Sequence, residues 1–141
     1  MKFNKLIPEL SVKNFDKSLY FYIRILGFTK EYERKESKFA FMNLQGSQIM
    51  IEEINDHWNT GKLEYPFGRG INFQIEVDNI NFVLKKLNKE NYPLFKKPKE
   101  NWYRKDDIFI GNKEFLVMDP DGYLLRFCED IGTKQIEDIK D

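Results

Sequence analysis

Few residues in this 141-residue chain can do chemistry, and their types narrow the options. There is one histidine, His57, and one cysteine, Cys128. A multi-histidine zinc site and a two-histidine iron site are therefore out of reach of a single chain. A lone cysteine forms no intramolecular disulfide. Cys128 also falls in an apolar strand-like run, where a small buried thiol fits better than a nucleophile. No nucleophile motif surrounds it or any serine. Glu9 and Glu52 remain as candidate general bases. The residue that most needs a reason is Arg126, in "VMDPDGYLLRFCED" (Val117 to Asp130). Asp-Pro and Asp-Gly are strong turn signals, so the stretch reads as strand, tight turn, strand. A charge inside the second strand must face a polar surface or a cavity, because an unpaired charge in a core is heavily penalised.

Composition is that of a globular protein with many charges and aromatics, and formal net charge is zero. Nothing in that balance favours nucleic acid or an anionic membrane as a partner. No apolar run approaches about 20 residues, and the start, MKFNKLIPEL, lacks a signal-peptide apolar region; a cytoplasmic protein is expected. Charge is uneven along the chain. Lys85 to Lys105 holds eight Lys/Arg against Glu90 and Glu100, and Glu129 to Asp141 holds five acids against two lysines. The basic stretch reads either as a solvated helix face and loop or as an anion site.

The elements that position these residues come in two sets. In Lys5 to Val12, Pro8, Leu10 and Val12 share one face, and Ile7, Glu9 and Ser11 the other. Asn14 is a candidate N-cap, Phe15, Leu19, Tyr22, Ile23 and Leu26 follow at helical spacing, and Gly27 is a natural terminator. Strand-like runs follow at Phe28 to Arg34, Phe39 to Leu44 and Gln48 to Ile54. After a linker the pattern recurs: Ile71 to Val77 alternates, Asn79 is a second N-cap, and Ile80, Val83, Leu84 and Leu87 form a helical stripe. Extended runs near Leu94 to Lys97, Lys113 to Asp119 and Tyr123 to Cys128 complete it. "SVKNFDKSLYFY" and "IEVDNINFVLKK" superimpose without a gap, with Val12 on Val77, Asn14 on Asn79 and Leu19 on Leu84, which is an internal duplication. The chain therefore reads as one α+β domain over 1–141. A βαβββ module at 3–54, a linker at 55–69, a second module at 70–130 and a polar tail at 131–141 make it up.

Strand parity then assigns faces. Leu10 and Val12, like Phe73, Ile75 and Val77, must pack on the helices. The opposite faces carry Glu9, Met50, Glu52, Asn72, Gln74 and Arg126, a mixture of polar and apolar side chains. Such a face is either simply solvated or the wall of a small-molecule cleft. Phe39 and Phe41 alternate with Ala40 and Met42, and parity alone leaves open which pair faces the core. Trp102 and Tyr103, in the polar stretch "KENWYRKDD", are read as loop aromatics that either stack on a planar ligand or anchor the sheet edge. His57-Trp58 reads as a surface linker packing its own tryptophan or as the mouth of the cleft. Glu114 reads as a support for the sheet.

With paired βαβββ modules, "VKNFDKSLYFYIRILGF" early and "NKEFLVMDPDGYLLRF" late, the chain resembles the vicinal oxygen chelate superfamily over about residues 3–130. That group includes glyoxalase I, extradiol dioxygenases, fosfomycin-resistance enzymes and bleomycin-resistance proteins. The resemblance implies two modules forming a cup-shaped mixed sheet, completed by dimerisation. It also implies metal ligands at Ile7, Glu52, Asn72 and Arg126, of which only Glu52 is a strong ligand type. A guanidinium repels a dication. The pattern is most similar to bleomycin-resistance proteins, which lack the metal and sequester a drug in clefts built from both chains. Their stacking tryptophan corresponds to Ile110, which cannot stack in kind. The expectation is a metal-free, cofactor-free homodimer with no catalytic residues. It would hold a small molecule, such as a planar aromatic drug, among Glu9, Met50, Glu52, Asn72, Gln74, Trp102, Tyr103, Ile110 and Arg126. The alternative is a glyoxalase- or dioxygenase-like enzyme with an atypical or absent metal site. A further expectation is an ion pair between Arg126 and Glu52 across the cup, on the premise that they hold equivalent positions in the two modules.

Overall fold

Asn14 and Asn79 hold matched positions in the repeat, and both do the same work. Each has an extended backbone (φ −134° and −152°) that no helix continues through. Asn14 Oδ1 accepts from the Lys17 amide at 3.1 Å, and Asn79 Oδ1 from the Asn81 amide at 2.8 Å, which satisfies a free donor at each helix start. The computed structural model describes residues 2–138, and it contains the two modules that this repetition implies.

The first module runs β1 (Glu9–Val12), α1 (Phe15–Tyr20), β2 (Thr29–Arg34), β3 (Phe39–Leu44) and β4 (Ser47–Glu53). Helix α1 continues into a wider π-helical turn, Phe21–Ile25. Gly27 then reverses the chain at φ +93°, a conformation that costs glycine little. The second module runs β5 (Asn72–Glu76), α2 (Ile80–Lys89), β6 (Lys96–Lys105), β7 (Ile108–Met118) and β8 (Leu124–Gln135). Each module forms its own four-stranded sheet, in the orders β1-β4-β3-β2 and β5-β8-β7-β6. The pairs β1/β4 and β5/β8 are parallel and the rest antiparallel, so both sheets are mixed. This is the α+β architecture expected from the pattern.

Two readings change. Trp102 and Tyr103 lie in strand β6, not in a loop. Pairing with the long strand β7 overrides the polar composition, and a Lys-rich edge strand is a common defence against unwanted pairing. Strand β8 also runs past residue 130, because its ladder with β7 continues to the Ile108–Gln135 pair. A short 3-10 turn, Ile136–Asp138, follows, and the end of the polar tail, 139–141, lies outside the described residues.

The helix-covered faces of the two sheets share one core, drawing on Leu10, Tyr22, Ala40, Met42 and Ile51 from the first module and Ile75, Val83, Leu87, Phe115 and Phe127 from the second. Phe21 packs on Tyr92 across the junction with ring centroids 4.8 Å apart. Polar contacts pin the same junction. The Tyr22 hydroxyl donates to Asp119 Oδ2 at 2.7 Å, and the Tyr123 hydroxyl donates to the Ser11 carbonyl at 2.9 Å. Asp119 Oδ1 in turn accepts from the Asp121 and Tyr123 amides, which shapes the Asp-Pro-Asp-Gly turn. Burial drives the Asp119 carboxyl up to about 6 despite these bonds.

Candidate functional site

Register between the modules decides what faces what. Glu9 lies opposite Met50 in the first sheet, while its repeat counterpart, Gln74, lies opposite Arg126 in the second. Met50, not Glu52, is therefore the counterpart of Arg126, and Glu52 is the counterpart of Cys128. The expected Arg126–Glu52 pair is not formed. The two residues stand on different sheets, and each has other partners. Asn55 Nδ2 donates to Glu52 Oε1 at 2.8 Å.

Arg126 is held by β7 and β5. Its Nε donates to Glu114 Oε1, and its Nη1 to Asn72 Oδ1 at 3.1 Å. Glu114 and Asn72 are the diagonal neighbours of Arg126 on this face, the positions long side chains reach. The Glu114 side chain is 5% exposed and that of Arg126 26%, so the carboxylate is the buried partner. Glu114 Oε2 also accepts from Asn101 Nδ2 and from the Tyr103 hydroxyl, both at 3.0 Å. Its hydrogen bond and charge hold the Arg126 guanidinium above its usual range. Burial, then the bond to Glu114, raises the Tyr103 hydroxyl. Next to this centre is a cavity of about 290 Å³ lined by Lys96, Lys97, Lys99, Asn101, Tyr103, Glu114, Leu116 and Arg126.

The first sheet's uncovered face differs in kind. Ala40 and Met42 enter the core, which turns Phe39 and Phe41 to the opposite face. Tyr32 stacks on Phe41 at 5.4 Å, Phe3 meets Phe41 edge-on at 5.2 Å, and the Arg34 guanidinium sits 4.0 Å from the centre of the Phe39 ring. Glu9 lies beside this aromatic layer. Burial first, then the charge of Glu52, raises its carboxyl above the usual range, with Arg34 opposing.

A family model described as the Glyoxalase/Bleomycin resistance protein/Dioxygenase superfamily matches residues 5–127. The chain belongs to this superfamily. A glyoxalase/bleomycin resistance protein/dioxygenase superfamily member from Vibrio splendidus 12B01 is 32% identical over 86% of this chain and 95% of that one, with a TM-score of 0.40. A virulence protein from Salmonella typhimurium is 17% identical over 92% of this chain and 98% of that one, with a TM-score of 0.64. The fosfomycin resistance protein FosX from Listeria monocytogenes is 20% identical over 94% of each chain, with a TM-score of 0.59. At these low identities the last two show likeness of fold. No curated protein matches the chain.

The metal-holding members of the glyoxalase/bleomycin resistance/dioxygenase superfamily motivate a test of the donor set. Ile7 offers no donor atom. The Asn72 oxygen is already taken by the Arg126 guanidinium, and Glu52 stands on the other sheet. Among the described residues no group of three His, Cys, Asp or Glu could hold an ion. The residues at these positions do not fit a divalent cation.

The remaining sequence candidates divide by sheet and by face. Glu9, Met50 and Glu52 stand together on the first sheet, and Asn72, Gln74, Arg126 and Tyr103 on the second. Ile110 lies opposite Tyr103, 41% exposed. Trp102 points to the face of β6 opposite Tyr103, where it anchors the sheet edge, the other reading of this residue. There it lies over Gly111, where an added Cβ would come within 2.5 Å of the indole, and the Lys134 ammonium sits 4.1 Å from its ring. His57 packs edge-on to the exposed Trp58 in the linker. Burial, ahead of the Glu76 and Glu114 charges, pushes the Cys128 thiol up to about 11, an inert environment. Sequence reasoning does not single out Glu114, Asn101 or Leu116 as contacts, and it raises the β6 lysines only as part of a basic stretch whose alternative reading is an anion site. Their signal is parity, since counting along β7 from its pairing with Arg126 puts Leu116 and Glu114 on the same face.

Proposed function

We propose that this protein binds a small organic molecule on its uncovered sheet faces, without a metal, and that a second copy of the chain completes the site. The observation that carries this reading is the Arg126–Glu114–Asn72 arrangement. A fixed ionic centre stands next to an open cavity on a face that the core does not use. A guanidinium supplies positive charge and fixed donors but neither Lewis acidity nor an exchangeable water, a property of binding sites more than of metal-assisted catalysis. Neither sheet covers its own outer face, and two-fold pairing of copies is the commonest way such a face is completed. Among the described residues no helix is long and apolar enough to cross a membrane.

A second reading has one observation in its favour. Glu9, raised by burial and by the neighbouring Glu52, has the property of a general base or acid, which would make the protein an enzyme that works without metal. A fluorescence and thermal-shift screen against planar drugs and metabolites tests both readings. The binding reading expects saturable ligands that are weakened by Arg126→Met and recovered chemically unchanged. Turnover abolished by Glu9→Gln would replace it with the second reading. Absence of any saturable ligand would overturn it.

A further inference from the structure

We infer that the second module's face takes a small organic phosphate, seated between Arg126 and the lysines of β6. This inference rests on the reading above that the face binds a small molecule, and it names the ligand's chemistry. The cavity is lined by four cations, Lys96, Lys97, Lys99 and Arg126, against one carboxylate, Glu114. That carboxylate is already engaged by Arg126, Asn101 and Tyr103. None of the three lysines forms a salt bridge among the described residues. Arg126 spends Nε and Nη1 on Glu114 and Asn72, and among the described residues Nη2 forms no hydrogen bond. Among the described residues the surplus positive charge thus has no ionic partner.

The repeat supplies an independent comparison. Register carries Lys96, Leu116 and Arg126 onto Tyr32, Phe41 and Met50, and Lys99 and Glu114 onto Arg34 and Phe39. The same fold positions in the first module are thus mostly apolar or aromatic. The sheet does not require a basic wall, so the wall belongs to what the second module does. Lysine ammonium groups act as mobile point charges that suit a tetrahedral dianion, whereas one free guanidinium nitrogen suits a single anchoring bond. Leu116 and the ring of Tyr103 provide apolar surface beside the charges, which favours an organic ester over the bare ion. A volume of about 290 Å³ is at the small end for ligand cavities.

Phenyl phosphate is a suitable probe, with phenol as its uncharged counterpart. Titration of the full chain is followed by amide chemical shifts and calorimetry. Shift changes should cluster on Lys96 to Tyr103, Glu114, Leu116 and Arg126, with phenol at least about tenfold weaker. The triple variant Lys96→Gln, Lys97→Gln, Lys99→Gln removes exposed charges and should keep the fold. It should weaken phenyl phosphate about tenfold and flatten the salt dependence. Unchanged affinity in that variant, or shifts located elsewhere, overturns the inference. If phenyl phosphate fails while an uncharged or cationic screening ligand binds in an Arg126-dependent way, the anion assignment falls and the binding-protein reading stands. If nothing binds, both fall.

Discussion

Replacing Arg126 by methionine would leave the carboxylate of Glu114, whose side chain is 5% exposed, with two neutral donors and no cation. Two unit charges about 4 Å apart attract by about 4 kcal/mol at an effective dielectric of about 20. The pair is not sealed, since the Arg126 side chain is 26% exposed and water reaches its outer edge. Asn101 and Tyr103 also continue to solvate the carboxylate. The expected loss is about 3 kcal/mol, the lower end for breaking a buried pair. The reverse change, Glu114→Gln, strands only the more exposed partner, which can turn toward solvent, and should cost about 1 kcal/mol. The double variant should be less destabilised than the two losses together, with a coupling of about 2 kcal/mol. The assay is urea denaturation of the four proteins, read from midpoints at constant slope. A cycle between Arg126 and Glu52 serves as control and should show no coupling, because these residues stand on different sheets. If Arg126→Met costs no more than an ordinary surface substitution, or the Arg126–Glu114 coupling is zero, the account of this centre is wrong.

The buried Asp119 gives a pH dependence of opposite sign to that of a salt-bridged carboxylate. Its folded value is about 6 against an ordinary 3.8, so its contribution is fully present below 3.8 and is lost as pH rises through 6. Asp119→Asn should remove about 3 kcal/mol of that slope, measured as the wild-type minus variant difference in stability between pH 3.5 and 7.5 (~1.36 kcal/mol per unit). Gly122 sits at φ +93°, and a Cβ there would lie 2.5 Å from Pro66 Cβ. Gly122→Ala should therefore lower stability by at least about 2 kcal/mol by thermal denaturation. Cys128 should react with a thiol-disulfide reagent at pH 8 only as fast as the second sheet opens, and at the free-cysteine rate in denaturant. Light scattering at micromolar concentration should give twice the chain mass.

The architecture was legible because two local signals agreed. Strand alternation and asparagine caps recur at one spacing, so each module was readable from its own residues. The site was less legible because it depends on register, which periodicity does not give. Sequence alone equates Glu52 with Arg126, whereas the parallel ladders make Met50 the counterpart. Glu114 reads from sequence as structural support for a similar reason. Its importance comes from the diagonal contact to β8, and no motif around it announces that contact. Trp102 and Tyr103 were grouped as neighbours in sequence, but in a strand adjacent residues point to opposite faces, and only Tyr103 reaches the ionic centre.

The shared core at the module junction implies that the covalent link between the halves is dispensable once they have met. Residues 60–62 of the linker are exposed, whereas Phe67, farther along, is buried against Tyr123. A break at 60–62 therefore severs the tether without touching the junction, provided Phe67 stays with the second half. Two fragments ending and beginning there should reassemble when expressed together, losing mainly the effective concentration, of millimolar order, that a tether supplies. By the same logic the chain could be permuted to begin with the second half. The order of the halves along the polypeptide would then be a record of the duplication and not a condition of folding.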